Sequence, residues 1–125
     1  MNKKSVEEYL PSAIEALEKC GIYDKDKDEI KRTFRGQISS FGAAVSMGSF
    51  KAAVAFFSDK NGSSVDRQNL IKALWFITQN DNKESKDICK IILTSTDLKA
   101  SEYETQFLDA SIALKLAMNA YNLTK

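Results

Sequence analysis

The segment from Gln37 to Lys60, QISSFGAAVSMGSFKAAVAFFSDK, constrains this chain more than any other, because it is too apolar and too rich in small residues for an ordinary surface helix. Ile38, Phe41 and Val45 recur at i, i+3 and i+7; Phe50, Val54 and Phe57 recur at i, i+4 and i+7 after a glycine. Each half presents one apolar stripe at helical spacing, which predicts two core helices meeting at Met47 and Gly48. Ala43, Ala44, Ala52, Ala53 and Ala55 lie between the stripes and predict close approach of neighbouring backbones. Small apolar side chains do little chemistry, so the segment points to packing and away from catalysis.

The rest of the chain reads as helical too. Val6, Leu10, Ala13, Ile14 and Leu17 form a first stripe, with Ser5 and Glu8 as a capping box and Pro11 expected to kink or delay the helix. YDKDKDEI reads as a solvated connection after Gly21, handing over to a helix that carries Ile30, Phe34, Ile38, Phe41 and Val45. Asn61-Gly62-Ser63-Ser64 reads as a turn, Leu70, Ile71, Leu74 and Ile77 as helix four, Gln79 to Asn82 as a polar break, and Ile88, Ile91 and Ile92 as helix five. No strand-like alternation is expected; the short apolar run IILT fits helix five.

The last helix, roughly Ser101 to Leu123, is apolar on two sides: Tyr103, Phe107, Ala110, Leu114, Ala117 and Tyr121 on one, Leu108, Ile112 and Leu116 nearly opposite. Either it is covered all round or its second stripe meets another protein. In helix four, Trp75 and Phe76 fall outside the inward stripe and predict a protein interface. The fold class expected is all-α: a single helical domain over residues 1–125, a compact bundle of about six helices with the carboxy-terminal helix central.

At 125 residues, 43% hydrophobic and 28% charged, the chain can bury about two-thirds of its unfolded surface without a metal or disulfide staple. Its net charge of +1 means that attraction to a polyanion has to come from local clustering. No apolar run reaches the roughly 18 residues of a membrane span. MNKKSVEEYLPS also lacks the continuous apolar region of a secretory signal, so a cytoplasmic location without membrane contact is expected. Cys20 and Cys89 belong to no CxxC pair and are expected as core thiols.

Catalytic systems fail on inventory. The absence of histidine removes Ser-His-Asp and Cys-His nucleophiles, imidazole acid-base catalysis and most zinc patterns. No GxxxxGKS or GxGxxG run is present to cradle phosphates. Asp24, Asp26 and Asp28 begin like a calcium loop, but Glu29 stands where the turn needs glycine and Arg35 where it needs a bidentate glutamate. No catalytic residue, metal or cofactor is expected.

Basic clusters remain. Lys31, Arg32 and Arg35 share a flank of helix two, followed along it by Ser39, Gly42 and Ser46, a positive head on a smooth surface suited to a phosphate backbone. Lys83, Lys86 and Lys90 form a second row on helix five.

The order of these features, IKRTFRGQ, then ISSFGAAVSMGSFKAAVAFFSDK, then LIKALWFI, then a last helix opening SEYETQ and carrying ALKLA, resembles the small subunit of Cmr-type, type III-B CRISPR effector complexes. The resemblance covers nearly the whole chain through Gly48, Ala53, Ala55, Phe56 and Phe57, then Leu70, Leu74 and Trp75. Two departures stand out. FRGQISSF replaces a segment where the family often has proline, and Ala113-Leu114-Lys115-Leu116 keeps the lysine of the family's tryptophan-leucine-lysine-arginine run but not its aromatic or its arginine.

The resemblance implies a non-catalytic helical subunit that stacks with copies of itself beside other CRISPR effector subunits. Such a subunit lines the path of guide RNA and target RNA in antiviral defence. Under that reading Lys31, Arg32, Arg35, Lys51 and Lys115 neutralise RNA phosphates, while Trp75 and Phe76 hold neighbouring subunits. The alternative is a helical adaptor or self-associating scaffold without nucleic-acid binding.

Overall fold

The Asn2 side chain accepts a hydrogen bond from the Ser5 amide at 3.2 Å and caps α1, Lys3–Lys19. The computed structural model describes residues 1–59 and 66–124; the turn expected at 61–64 lies outside them. The cap is therefore Asn2 rather than Ser5. The helix runs unbroken through the exposed Pro11, and its single missing N–H leaves the flanking turns intact. Gly21, at φ 76, ends the helix in the left-handed conformation that suits glycine.

The expected solvated connection is in fact a small antiparallel hairpin, β1 Tyr23–Asp24 and β2 Glu29–Ile30, with Tyr23 opposite Ile30 and Asp24 opposite Glu29. With two residues per strand it is too short to show alternation in sequence. Ile30 belongs to β2, not to helix two, and is completely buried. Its amide donates to the Asn122 carbonyl at 2.8 Å, and its carbonyl accepts from the Thr124 amide at 3.0 Å. The chain's last described residues thus lie parallel to β2.

Five more helices follow: α2 Arg32–Met47, α3 Phe50–Phe57, α4 Gln68–Gln79, α5 Ser85–Leu93 and α6 Asp97–Ala117, the last continuing into a single 3-10 turn, Met118–Ala120. The all-α class and the six helices agree with the sequence reading. The last helix starts four residues earlier than its expected Ser101, because Thr96 caps it through the Lys99 amide at 3.2 Å. Tyr121 and Leu123 lie beyond its end.

α6 packs against α1, α2, α3 and α4. Its first stripe is buried from Tyr103 to Ala117, whereas Leu108 and Ile112 are half-buried and Leu116 is exposed. The core is aromatic at its centre: Phe41 meets Phe57 edge-on with ring centroids 5.3 Å apart, and Phe50 meets Phe107 edge-on at 5.4 Å.

Trp75 and Phe76 do not form an outer face. Both are buried, within an unbroken run from Ala73 to Ile77, because α4 is covered by α1 on one side and by α3, α5 and α6 on others. The Trp75 indole stacks obliquely on Tyr103 at 5.6 Å, and the Lys19 ammonium lies 5.3 Å from the Phe76 ring centre. Both rings thus face the core rather than an outer surface.

Candidate nucleic-acid interface

α2 begins with a concentration of positive charge. Lys31 occupies its N-cap, no side chain caps the helix, and its first turn contains no acidic residue. Arg32 and Arg35 follow in that turn. Cations at a helix N-terminus oppose the macrodipole and lower helix stability, so this arrangement favours an anion from outside.

The carboxy-terminal segment holds the two arginines in place. The Arg32 amide donates to Thr124 Oγ1 at 3.0 Å, and Arg32 Nε donates to the Thr124 carbonyl at 2.8 Å. Arg35 Nη1 donates to the Lys115 carbonyl at 3.3 Å and to Asn119 Oδ1 at 2.8 Å, closing the last turn of α6. Lys115 therefore lies beside Arg35, half-exposed. Arg32 remains exposed and Arg35 half-buried, so each guanidinium is oriented by the fold while part of it still faces solvent. Lys31 borders a separate cleft of about 340 Å³ that also contains Asp24, Asp66 and Asn69.

Lys51 is not part of this cluster. It lies beyond the far end of α2, whose 16 residues span about 24 Å. Its ammonium donates to the Leu93 and Ser95 carbonyls at 3.5 and 2.9 Å, capping the end of α5. The second basic row also breaks up. Lys83 precedes α5 and pairs with Asp81 at 3.5 Å, leaving Lys86 and Lys90 exposed on the helix.

From the basic end, a smooth face runs the length of α2. Gly36, Ser39, Ser40, Ala43, Ala44 and Met47 recur at helical spacing and are all exposed. This corrects the expectation that the alanines bring neighbouring helices together: Ala43, Ala44, Ala52 and Ala55 are exposed, and only Ala53 is buried. Ser39 and Ser40 turn their hydroxyls back to donate to the Arg35 and Gly36 carbonyls at 3.2 and 3.0 Å. A Cβ placed on Gly36 or Gly42 would meet nothing within 4 Å, so packing inside the chain does not require glycine at either site. Glycine in a helix costs about 0.5–1 kcal/mol relative to alanine, a cost that nothing in the isolated fold offsets.

Beyond Met47, which is 88% exposed, the face continues into an apolar cleft of about 410 Å³ lined by Ala44, Gly48, Ala52 and Phe56. Phe56 is 56% exposed, with the Arg67 guanidinium 4.4 Å from its ring centre.

The acidic hairpin serves its own turn: Asp24 Oδ1 accepts from the Asp26 and Lys27 amides at 3.0 and 3.3 Å. Among the described residues no group of three or more metal-binding side chains comes together, and no helix is long and apolar enough to cross a membrane. Burial pushes the Cys20 thiol above its usual pKa. Asn119, Thr124 and the buried Asp109 were not singled out by the sequence. Only Asp109 carries a signal, as a charge set between the apolar residues Leu108 and Ala110. No protein-family model, curated protein or solved structure matches the chain.

Proposed function

We propose that this chain is a non-catalytic small subunit of a type III-B CRISPR ribonucleoprotein effector, packing along the guide and target RNA through backbone contacts. One observation carries the reading: Arg32 and Arg35 stand together at the positive end of α2, which has no acidic residue or side-chain cap of its own, with the Lys115 backbone beside Arg35. The exposed Gly36–Ala44 face allows a polymer to approach closely, and Arg and Lys contacts to phosphate need no base sequence. The sequence resemblance set out above supplies the identity of the assembly. Protein neighbours meet the chain at the apolar surface around Met47 and Phe56, in place of Trp75 and Phe76.

The test is purification of the tagged protein from a cell that expresses it natively. Small RNA and a set of larger proteins are expected to come with it; a homo-oligomer free of nucleic acid overturns the reading. The assembly carrying Arg32→Gln and Arg35→Gln is then compared with the unaltered one. Its log–log salt slope for single-stranded RNA should flatten by about 1.4, roughly 0.7 for each lost phosphate contact.

A helical adaptor or scaffold without nucleic acid is the second reading. It is favoured by the exposed Met47 and Phe56 alone, which need only a protein partner.

A further inference from the structure

The cleft between the start of α1, the middle of α2 and α6 has a carboxylate in its wall that forms no ion pair among the described residues. Asp109 is only 5% exposed. Its Oδ1 accepts from the Asn2 amide at 3.2 Å. No lysine, arginine or terminal amine among the described residues lies within ion-pair distance of it. Asn2 caps α1, so the carboxylate sits at the positive end of that helix, which offsets about half a charge. The nearby Ser111 hydroxyl, also buried, donates instead to the Leu108 carbonyl at 2.7 Å.

The cleft measures about 520 Å³, with Met1 and Asn2 at the start of α1, Gly42 and Ser46 on the α2 side and Thr105, Leu108 and Ile112 on the α6 side. Its mouth is open at Gly42, where a Cβ would meet nothing within 4 Å. A buried charge beside aliphatic walls selects its ligand sharply. Anions are repelled, and a neutral apolar molecule leaves the carboxylate unpaired. A cation on an apolar stem satisfies both parts of the site.

The geometry points to a binding site for a primary alkylammonium group, its ammonium on Asp109 and its methylene stem along Leu108 and Ile112. A free aliphatic amine and the lysine side chain of a neighbouring protein share this chemistry. The site shares Gly42 and Ser46 with the flank of α2, but its charged group, Asp109, is separate from Arg32 and Arg35 and takes the opposite charge, so an amine titration tests it apart from the RNA reading.

The test is an NMR titration of the full chain with n-butylamine at neutral pH, with n-butanol as the uncharged control and Nα-acetyl-lysine methylamide as a side-chain mimic. Butylamine is expected to shift the Thr105, Leu108 and Ile112 amides saturably, with a Kd of roughly a millimolar. Asp109→Asn should weaken this by about tenfold or more. Gly42→Leu, which fills the mouth but keeps the carboxylate, should weaken it similarly and decides the matter if the Asp109 variant does not fold. Equal shifts from butanol, or butylamine shifts that survive in either folded variant, overturn the proposal. Lysine-mimic binding as tight as butylamine assigns the site to a partner's lysine, and markedly weaker binding assigns it to a free amine.

Discussion

Arg35 reaches from the first turn of α2 to Asn119, just past the end of α6, and donates to its Oδ1 at 2.8 Å. The same nitrogen bonds the Lys115 carbonyl, so one guanidinium closes the end of the longest helix and stands at the centre of the basic cluster. Structure and RNA contact are therefore linked at this residue, and substitutions have to separate them. Arg35→Gln should lower unfolding stability by about 1 kcal/mol through the lost charge-assisted bonds. Asn119→Ala should cost a similar amount while leaving the charge in place. Urea denaturation of both variants checks this; full stability in Arg35→Gln would show the cap to be dispensable.

The glycines of α2 give an opposite sign. Gly36→Ala and Gly42→Ala should each stabilise the isolated chain by about 0.5–1 kcal/mol, because both sites are helical and have open space around the added methyl. If the smooth face exists for close approach by a partner, Gly36→Leu should stay folded and yet lose assembly. Thermal melts and co-purification from the same preparations read the two effects. Destabilisation by Gly36→Ala would mean that the glycine serves the fold after all.

Trp75 is a core residue whose polar end finds Asp81. Its Nε1 donates to Asp81 Oδ2 at 3.2 Å, and this bond, ahead of the nearby Lys83, holds the carboxyl below its usual pKa. Trp75→Phe should cost about 1 kcal/mol and Trp75→Ala about 3–5 kcal/mol in denaturant unfolding. Trp75→Phe should leave association with partners unchanged, and lost association in the folded variant would assign the indole to an interface.

Tyr121 makes stability depend on pH at the alkaline end. Burial first, and then the hydrogen bond that its phenol donates to Glu18 at 2.9 Å, push its pKa up from 10.0 to about 12. The folded state thus favours the protonated phenol. That contribution is complete below pH 10 and is lost as pH rises toward about 12. Urea midpoints should fall across this window and fall less steeply in Tyr121→Phe, which cannot ionise. Some slope should remain from Tyr23, whose phenol is raised chiefly by its hydrogen bond to Asp28. An equally steep decline in Tyr121→Phe rules out this phenol as the source.

The helical stripes were legible because burial has a period. Ile38, Phe41 and Val45, then Phe50, Val54 and Phe57, are all buried as their spacing requires. What could not be read was what surrounds each helix. Trp75 and Phe76 lie off the stripe of α4, but that helix has neighbours on several sides, and covered flanks leave no periodic trace. The alanines of α2 and α3 failed in the other direction, since small side chains fit a tight core and an exposed face equally well. In the basic cluster, charge and position along α2 were visible at Lys31, Arg32 and Arg35. The carbonyls and side chains that hold the arginines come from residues 80 or more positions away, and no local pattern connects them.

The strip from Asn122 to Thr124 behaves as a clasp. It carries both backbone bonds of Ile30 beyond the hairpin and the two bonds of Arg32, so proteolytic clipping after Ala120 would release the hairpin and the head of α2 together. Loss of the residues beyond Ala120 would then disturb a region almost a hundred positions earlier in the chain. An affinity handle placed there would strain the same fastening.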